Sequence, residues 1–166
     1  MATYQQLFNL CKKKFNISWL YGQSHANEKL FLTEKAKQYP TLCVGFLNII
    51  HPDRLHIIGP AEIEFFNQIS HDARIGFLQK LVDNKSLGLV VCLDLALPDD
   101  MIQPLIDTNL PVFGTSEPPE KVLTFVRHNI VKLLAPSCSM HGVFMDVFGM
   151  GILLSGQSGI GKSELG

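Results

Sequence analysis

The sequence predicts an α/β protein: a mostly parallel sheet flanked by helices, then a β-hairpin running into a glycine-rich loop. Three observations carry that reading. Two runs, 41–50 (TLCVGFLNII) and 87–93 (LGLVVCL), are apolar almost without interruption and are bounded by turn residues. Strands covered on both faces look like this. Stretches of helical character separate such runs, and strand–helix alternation builds parallel sheets with helices on their faces. After Ala135-Pro136 the texture changes to two short apolar segments either side of Phe148-Gly149.

Composition sets the outer limits. The chain has 166 residues, and at about 150 residues per domain that suits one domain and the opening of another. Hydrophobic residues make up 46% and charged residues 17%, which excludes disorder over most of the chain. A formal net charge of −1 argues against a nucleic-acid partner held by a broad basic field. The run Lys12-Lys13-Lys14 reads as a solvated helix face. No stretch approaches 18 consecutive apolar residues, so no membrane association is expected. Nor do the first thirty residues have the charged-then-apolar plan of a signal peptide. Cys11, Cys43, Cys92 and Cys138 show no metal-ligand spacing. Cys43 and Cys92 sit inside apolar runs, where a thiol behaves as a small hydrophobe. A soluble, cytoplasmic protein is the expectation.

Along the chain, residues 4–15 place Leu7, Leu10 and Cys11 on one face of a helix. A second helix is expected over 26–38, closed by Pro40. Strands follow at 41–50 and 55–58, and a helix at 61–69 has Pro60 at its first position, where the missing N–H costs nothing. Residues 73–82 read as a helix, 87–93 as a strand, and 98–107 as a short helix with Asp99 and Asp100 at its positive end. A brief strand at 111–114 precedes a helix over 117–134, for which Ser116 is the expected N-cap. Residues 1–134 thus form an N-terminal α/β domain, and 135–166 open a second one. There, Val143, Met145 and Val147 alternate with Phe144 and Asp146, predicting a hairpin with a glycine-containing turn.

The chemistry is concentrated at the carboxyl end. Gly156-Gln157-Ser158-Gly159-Ile160-Gly161-Lys162-Ser163 satisfies the P-loop pattern G-x-x-x-x-G-K-[ST], with an apolar strand before it and a helix former, Glu164, after it. Glycines let such a backbone turn tightly and aim its N–H groups at phosphate oxygens. Lys162 supplies a mobile cation for the β- and γ-phosphates, and Ser163 a hydroxyl for Mg²⁺. The phosphates of a nucleotide, with Mg²⁺, are therefore the expected ligands, the other reading of these residues being a glycine-rich hairpin loop. His141 lies fifteen residues before the loop. If the hairpin forms, it falls at the same end of the sheet, as a phosphate ligand, a proton shuttle or a hydrogen-bonded structural histidine. His25, His51, His56, His71 and His128 read as structural or surface residues.

These residues resemble a known family. His141-Gly142-Val143, Asp146-Val147, Gly149, Gly151, Leu153 and then Gly156–Glu164 look like the start of the kinase domain of bacterial HPr kinase/phosphorylase. His51-Pro52-Asp53-Arg54, Leu55–Gly59, Glu62 and Pro111-Val112-Phe113 resemble that family's N-terminal domain. The resemblance covers nearly the whole chain. It implies transfer of phosphate from ATP to a serine of the phosphocarrier HPr, or an HPr-like relative, and removal of that phosphate by inorganic phosphate. In that reading Gly156–Ser163 bind the nucleotide, Ser163 ligates magnesium, and His141 and Lys162 are catalytic. It further implies a homohexamer and a role in carbohydrate metabolism through the phosphotransferase system.

The sequence stops at Gly166. The aspartate, glutamate and arginine that the resemblance would place beyond the loop are not in it, and Lys162–Gly166 supplies barely one helical turn behind a bound anion. The 166-residue chain is thus expected to bind ATP weakly and to transfer no phosphate. Two other readings stand beside this one: a different P-loop NTPase with an unrelated accessory domain, and a non-catalytic regulatory or assembly module.

Overall fold

The computed structural model describes residues 2–48, 50–135 and 142–155. The chain divides between Ala135 and Pro136 into two units. In the first, α1 (Tyr4–Lys12), β1 (Ile17–Tyr21), α2 (Glu34–Gln38), β2 (Val44–Phe46) and β3 (Leu55–Ile58) come before α3 (Pro60–Gln68) and α4 (His71–Asp83). Then follow β4 (Gly88–Val91), α5 (Asp99–Thr108), β5 (Val112–Thr115) and α6 (Pro119–Leu134). The sheet runs in the order β1-β5-β4-β3-β2. Strands β2 to β5 are parallel, and β1 pairs antiparallel with β5. The α/β class and the mostly parallel sheet are as the apolar runs imply.

Two cores lie on opposite faces of this sheet. On one, Leu55, Ile57, Val90 and Phe113 meet Leu7 and Cys11 of α1 and Val122, Val126 and Ile130 of α6. On the other, Ile58, Leu89, Val91 and Val112 meet Phe66 of α3, Leu78 and Leu81 of α4, and Met101 and Leu105 of α5. All four residues of β3 and of β4 are buried, which is why neither strand alternates in sequence. Period 2 is a signature of strands with one wet face.

Several boundaries differ from expectation, each for a visible reason. The helix expected over 26–38 shrinks to Glu34–Gln38. Residues 26–30 instead bond to the start of the chain, through Gln5 N to Ala26 O at 2.7 Å and Leu30 N to Ala2 O at 2.9 Å. Thr33 then caps the short helix at Ala36 N. The strand expected over 41–50 contracts to three residues. Pro40–Cys43 form a 3₁₀ turn, and Asn48 captures Ile50 N with its side chain and His51 N with its carbonyl. The last helix starts at Pro119 with Pro118, not Ser116, as N-cap. Strand β1 was not expected. Its half-buried sequence ISWLY is held at the sheet edge by β5, where the Trp19 ring lies 4.5 Å from that of Phe113.

In the second unit, β6 (Gly142–Val147) and β7 (Met150–Ser155) form the expected antiparallel hairpin. The two turn residues, Phe148 and Gly149, have φ of 52° and 80°. Positive φ at both central positions twists the turn in the sense a hairpin needs. Asp146 fixes it further, its carboxylate accepting from Gly149 N at 2.8 Å.

Candidate functional site

The hairpin is the described part of the region to which the sequence assigns the chemistry. Its register pairs Val147 with Met150 at the turn and Gly142 with Ser155 at the open end. The chain therefore enters β6 and leaves β7 at one and the same end. His141 precedes that end in sequence and Gly156 follows it. His141, the loop Gly156, Gln157, Ser158, Gly159, Ile160, Gly161, Lys162 and Ser163, and Cys138 all lie outside the described residues. Phe144 and Phe148 are exposed on the hairpin, as is Met150.

In the first unit the carboxylates and imidazoles are mostly engaged in structural tasks. Glu62 accepts from Gly59 N at 2.8 Å, closing the start of α3. Asp53 accepts from Thr33 Oγ1 at 3.3 Å. His25 sits 3.1 Å from Glu28. Among the described residues, no three His, Cys, Asp or Glu side chains are grouped so as to hold a metal ion. The thiols of Cys11, Cys43 and Cys92 are free and buried. Burial pushes Cys11 and Cys92 up to about 12 and Cys43 to about 11, so they are inert near neutral pH.

Two polar clusters escaped the sequence reading because they are made by tertiary contact. Arg74 of α4 donates to Phe66 O at 2.7 Å, Ile69 O at 2.8 Å and Asp100 Oδ2 at 2.6 Å. His71 Nδ1 approaches the same carboxylate oxygen at 2.8 Å. Hydrogen bonds from Arg74 and then His71 hold the Asp100 carboxyl below its ordinary value. The second cluster centres on His56, wholly buried in β3. Its Nε2 lies 3.2 Å from Pro52 O, and Nδ1 has no partner among the described residues. Burial lowers the His56 pKa. Burial therefore favours the neutral ring, and in the tautomer that carries its proton on Nε2 the ring donates to Pro52 O. No periodicity marks either cluster.

Sequence comparison places this arrangement among known proteins. Residues 4–130 match the family model described as HPr Serine kinase N terminus, and residues 132–166 match HPr Serine kinase C-terminal domain. The HPr kinase/phosphorylase of Paraburkholderia phymatum is 34% identical over 164 residues, covering 98% of this chain and 51% of the relative. That of Burkholderia ambifaria is 33% identical over 164 residues. That of Xylella fastidiosa strain M12 is 27% identical over 163 residues, again covering 98% and 51%. The chain spans about half the length of the curated relatives it matches. With both stretches matched in order, and with an α/β unit leading to a hairpin that ends where the P-loop signature begins, the chain belongs to the HPr serine kinase family.

Proposed function

We propose that the protein to which this chain belongs phosphorylates a serine of HPr, or of an HPr-like phosphocarrier, with ATP, and removes the phosphate again with inorganic phosphate. The observation that carries this reading is the P-loop signature Gly156–Ser163 following directly on β7, in a chain matched at both ends to HPr serine kinase. In this reading residues 1–134 are an accessory α/β domain and 135–166 open the kinase domain. The protein works in the cytoplasm as a homo-oligomer, a hexamer by family resemblance.

Within the loop, backbone N–H groups and Lys162 would hold the β- and γ-phosphates, and Ser163 would ligate magnesium. Bound Mg²⁺ would neutralise charge on the phosphates. The transition state of phosphoryl transfer spreads negative charge over the transferred group, so positioning and charge neutralisation carry most of the catalysis. Lys162 serves that role, and His141 orients or protonates a phosphate oxygen.

Calorimetric titration of the chain with Mg-ATP tests the reading. Saturable binding that disappears in Lys162→Ala is the expected result. No binding in the chain or in a longer version containing the rest of the kinase domain would overturn it, leaving a docking or assembly module.

A further inference from the structure

Just past the carboxyl ends of β2 and β3 lies a cavity of about 340 Å³, lined by Leu47 and Asn48, by Ala61, Glu62 and Phe65 of α3, and by Phe77 of α4. In parallel α/β sheets ligands bind outside the carboxyl ends of the strands, and the volume falls within the range of small-molecule clefts, about 300–1,000 Å³. The walls are mostly apolar. The rings of Phe65 and Phe77 stand edge to face with centroids 6.4 Å apart, and Phe65 is 44% exposed. Glu62 is the one charged side chain lining the cavity among the described residues. Its Oε2 accepts from Gly59 N at 2.8 Å, which leaves Oε1 for a ligand. No Lys, Arg or His among the described residues forms an ion pair with Glu62. Its negative potential reaches Cys92, whose thiol is pushed up by burial and then by the charges of Glu120 and Glu62. The other polar wall, Asn48, is turned to its own loop, Oδ1 accepting from Ile50 N at 2.8 Å.

An unpaired carboxylate in an apolar, aromatic cleft suits a cation that is itself mostly hydrocarbon. We propose that this cavity binds a small organic ammonium ion, an alkylamine or arylalkylamine whose N–H groups donate to Glu62 and whose apolar body packs on Leu47, Phe65 and Phe77. Charge-assisted N–H···O bonds are the stronger kind, and the faces of the two rings attract a cation or its polarised CH groups as well. Other ligand classes fit less well. A carboxylic acid of the same shape is repelled by Glu62, and a phosphate finds no cation in the lining. A metal ion finds one carboxylate where it needs several oxygen ligands. The site is separate from the P-loop signature and does not rest on the function proposed above.

The test is titration of the isotope-labelled chain with phenethylamine at neutral pH, where the amine is protonated, following the amides of Leu47, Asn48, Glu62 and Phe65 by NMR. Saturable shifts at these residues are expected. Phenethyl alcohol, which has the shape without the charge, should bind about tenfold more weakly, and phenylacetate more weakly still. Glu62→Gln keeps an oxygen for Gly59 N, so α3 stays capped. It should weaken amine binding about tenfold and leave the affinity for phenethyl alcohol unchanged. Phe65→Ala, at a partly exposed wall, should weaken both. If Glu62→Gln fails to fold, the ranking of the three ligands on the wild-type chain decides the matter. Three outcomes would overturn the site: shifts that never saturate, phenylacetate binding as tightly as the amine, or unchanged amine affinity in a natively folded Glu62→Gln.

Discussion

Arg74 Nη2 lies 2.6 Å from Asp100 Oδ2, tying α4 to the first turn of α5, and the same guanidinium closes the turn between α3 and α4 through two carbonyls. One side chain therefore fixes three helices over the Phe66 core. Arg74→Met should destabilise the first unit by about 2 kcal/mol, because buried acceptors lose a charged donor. Asp100→Asn, which leaves the two carbonyl bonds intact, should cost less. Paired urea melts check this, and equal losses would contradict it.

His56 predicts a dependence of stability on pH. Its pKa is lowered in the folded state, first by burial and also by the Arg54 charge, while Asp53 and backbone carbonyls oppose the shift. Below an ordinary value of about 6.5 the unfolded chain takes up a proton that the folded one refuses. Stability is thus full above that pH and declines as the pH falls through and below it. His56→Leu should flatten the stability curve between pH 7.5 and the mid-fives, on the order of that window. A variant with the same slope as wild type would show that other groups cause it.

Gly88 and Gly149 both have positive φ, 113° and 80°, but their surroundings differ. A Cβ on Gly88 would collide with the carbonyl oxygen of Pro111, whereas one on Gly149 meets nothing within 4 Å. Gly149→Ala should cost only the backbone penalty of a left-handed residue, about 1 kcal/mol. Gly88→Ala should cost at least about 2 kcal/mol, since Leu89 N bonds to that same Pro111 oxygen and the strand cannot step aside. Thermal melts of the two variants should rank in that order.

Phe66 is fully buried and packs edge-on against Phe77, with ring centroids 5.6 Å apart. Phe66→Ala should lose about 3–5 kcal/mol, a large share of a typical domain's stability. A urea midpoint within error of wild type would refute it.

On the proposed function, His141→Ala introduced into the protein with a full kinase domain should lower both directions of the proposed phosphoryl transfer together, with ATP affinity retained. Wild-type rates in both directions would remove His141 from the reaction.

Much of this protein was legible in its sequence for a physical reason. Burial on both faces writes β4 as an unbroken apolar run, and a tight positive-φ turn favours a glycine such as Gly149 between paired strands. The P-loop signature is legible because the phosphate chemistry it would serve needs glycines, a lysine and a hydroxyl at fixed spacing within eight residues. Long-range competition decided the remainder. Residues 26–30 left the helix their composition favours because the amino-terminal backbone offered them partners. Strand β2 stopped at Phe46 because Asn48 bends the chain away. Trp19 found its place only once β5 supplied an edge. Interactions between near neighbours are encoded locally, whereas a meeting between distant side chains exists only after the sheet has set its order.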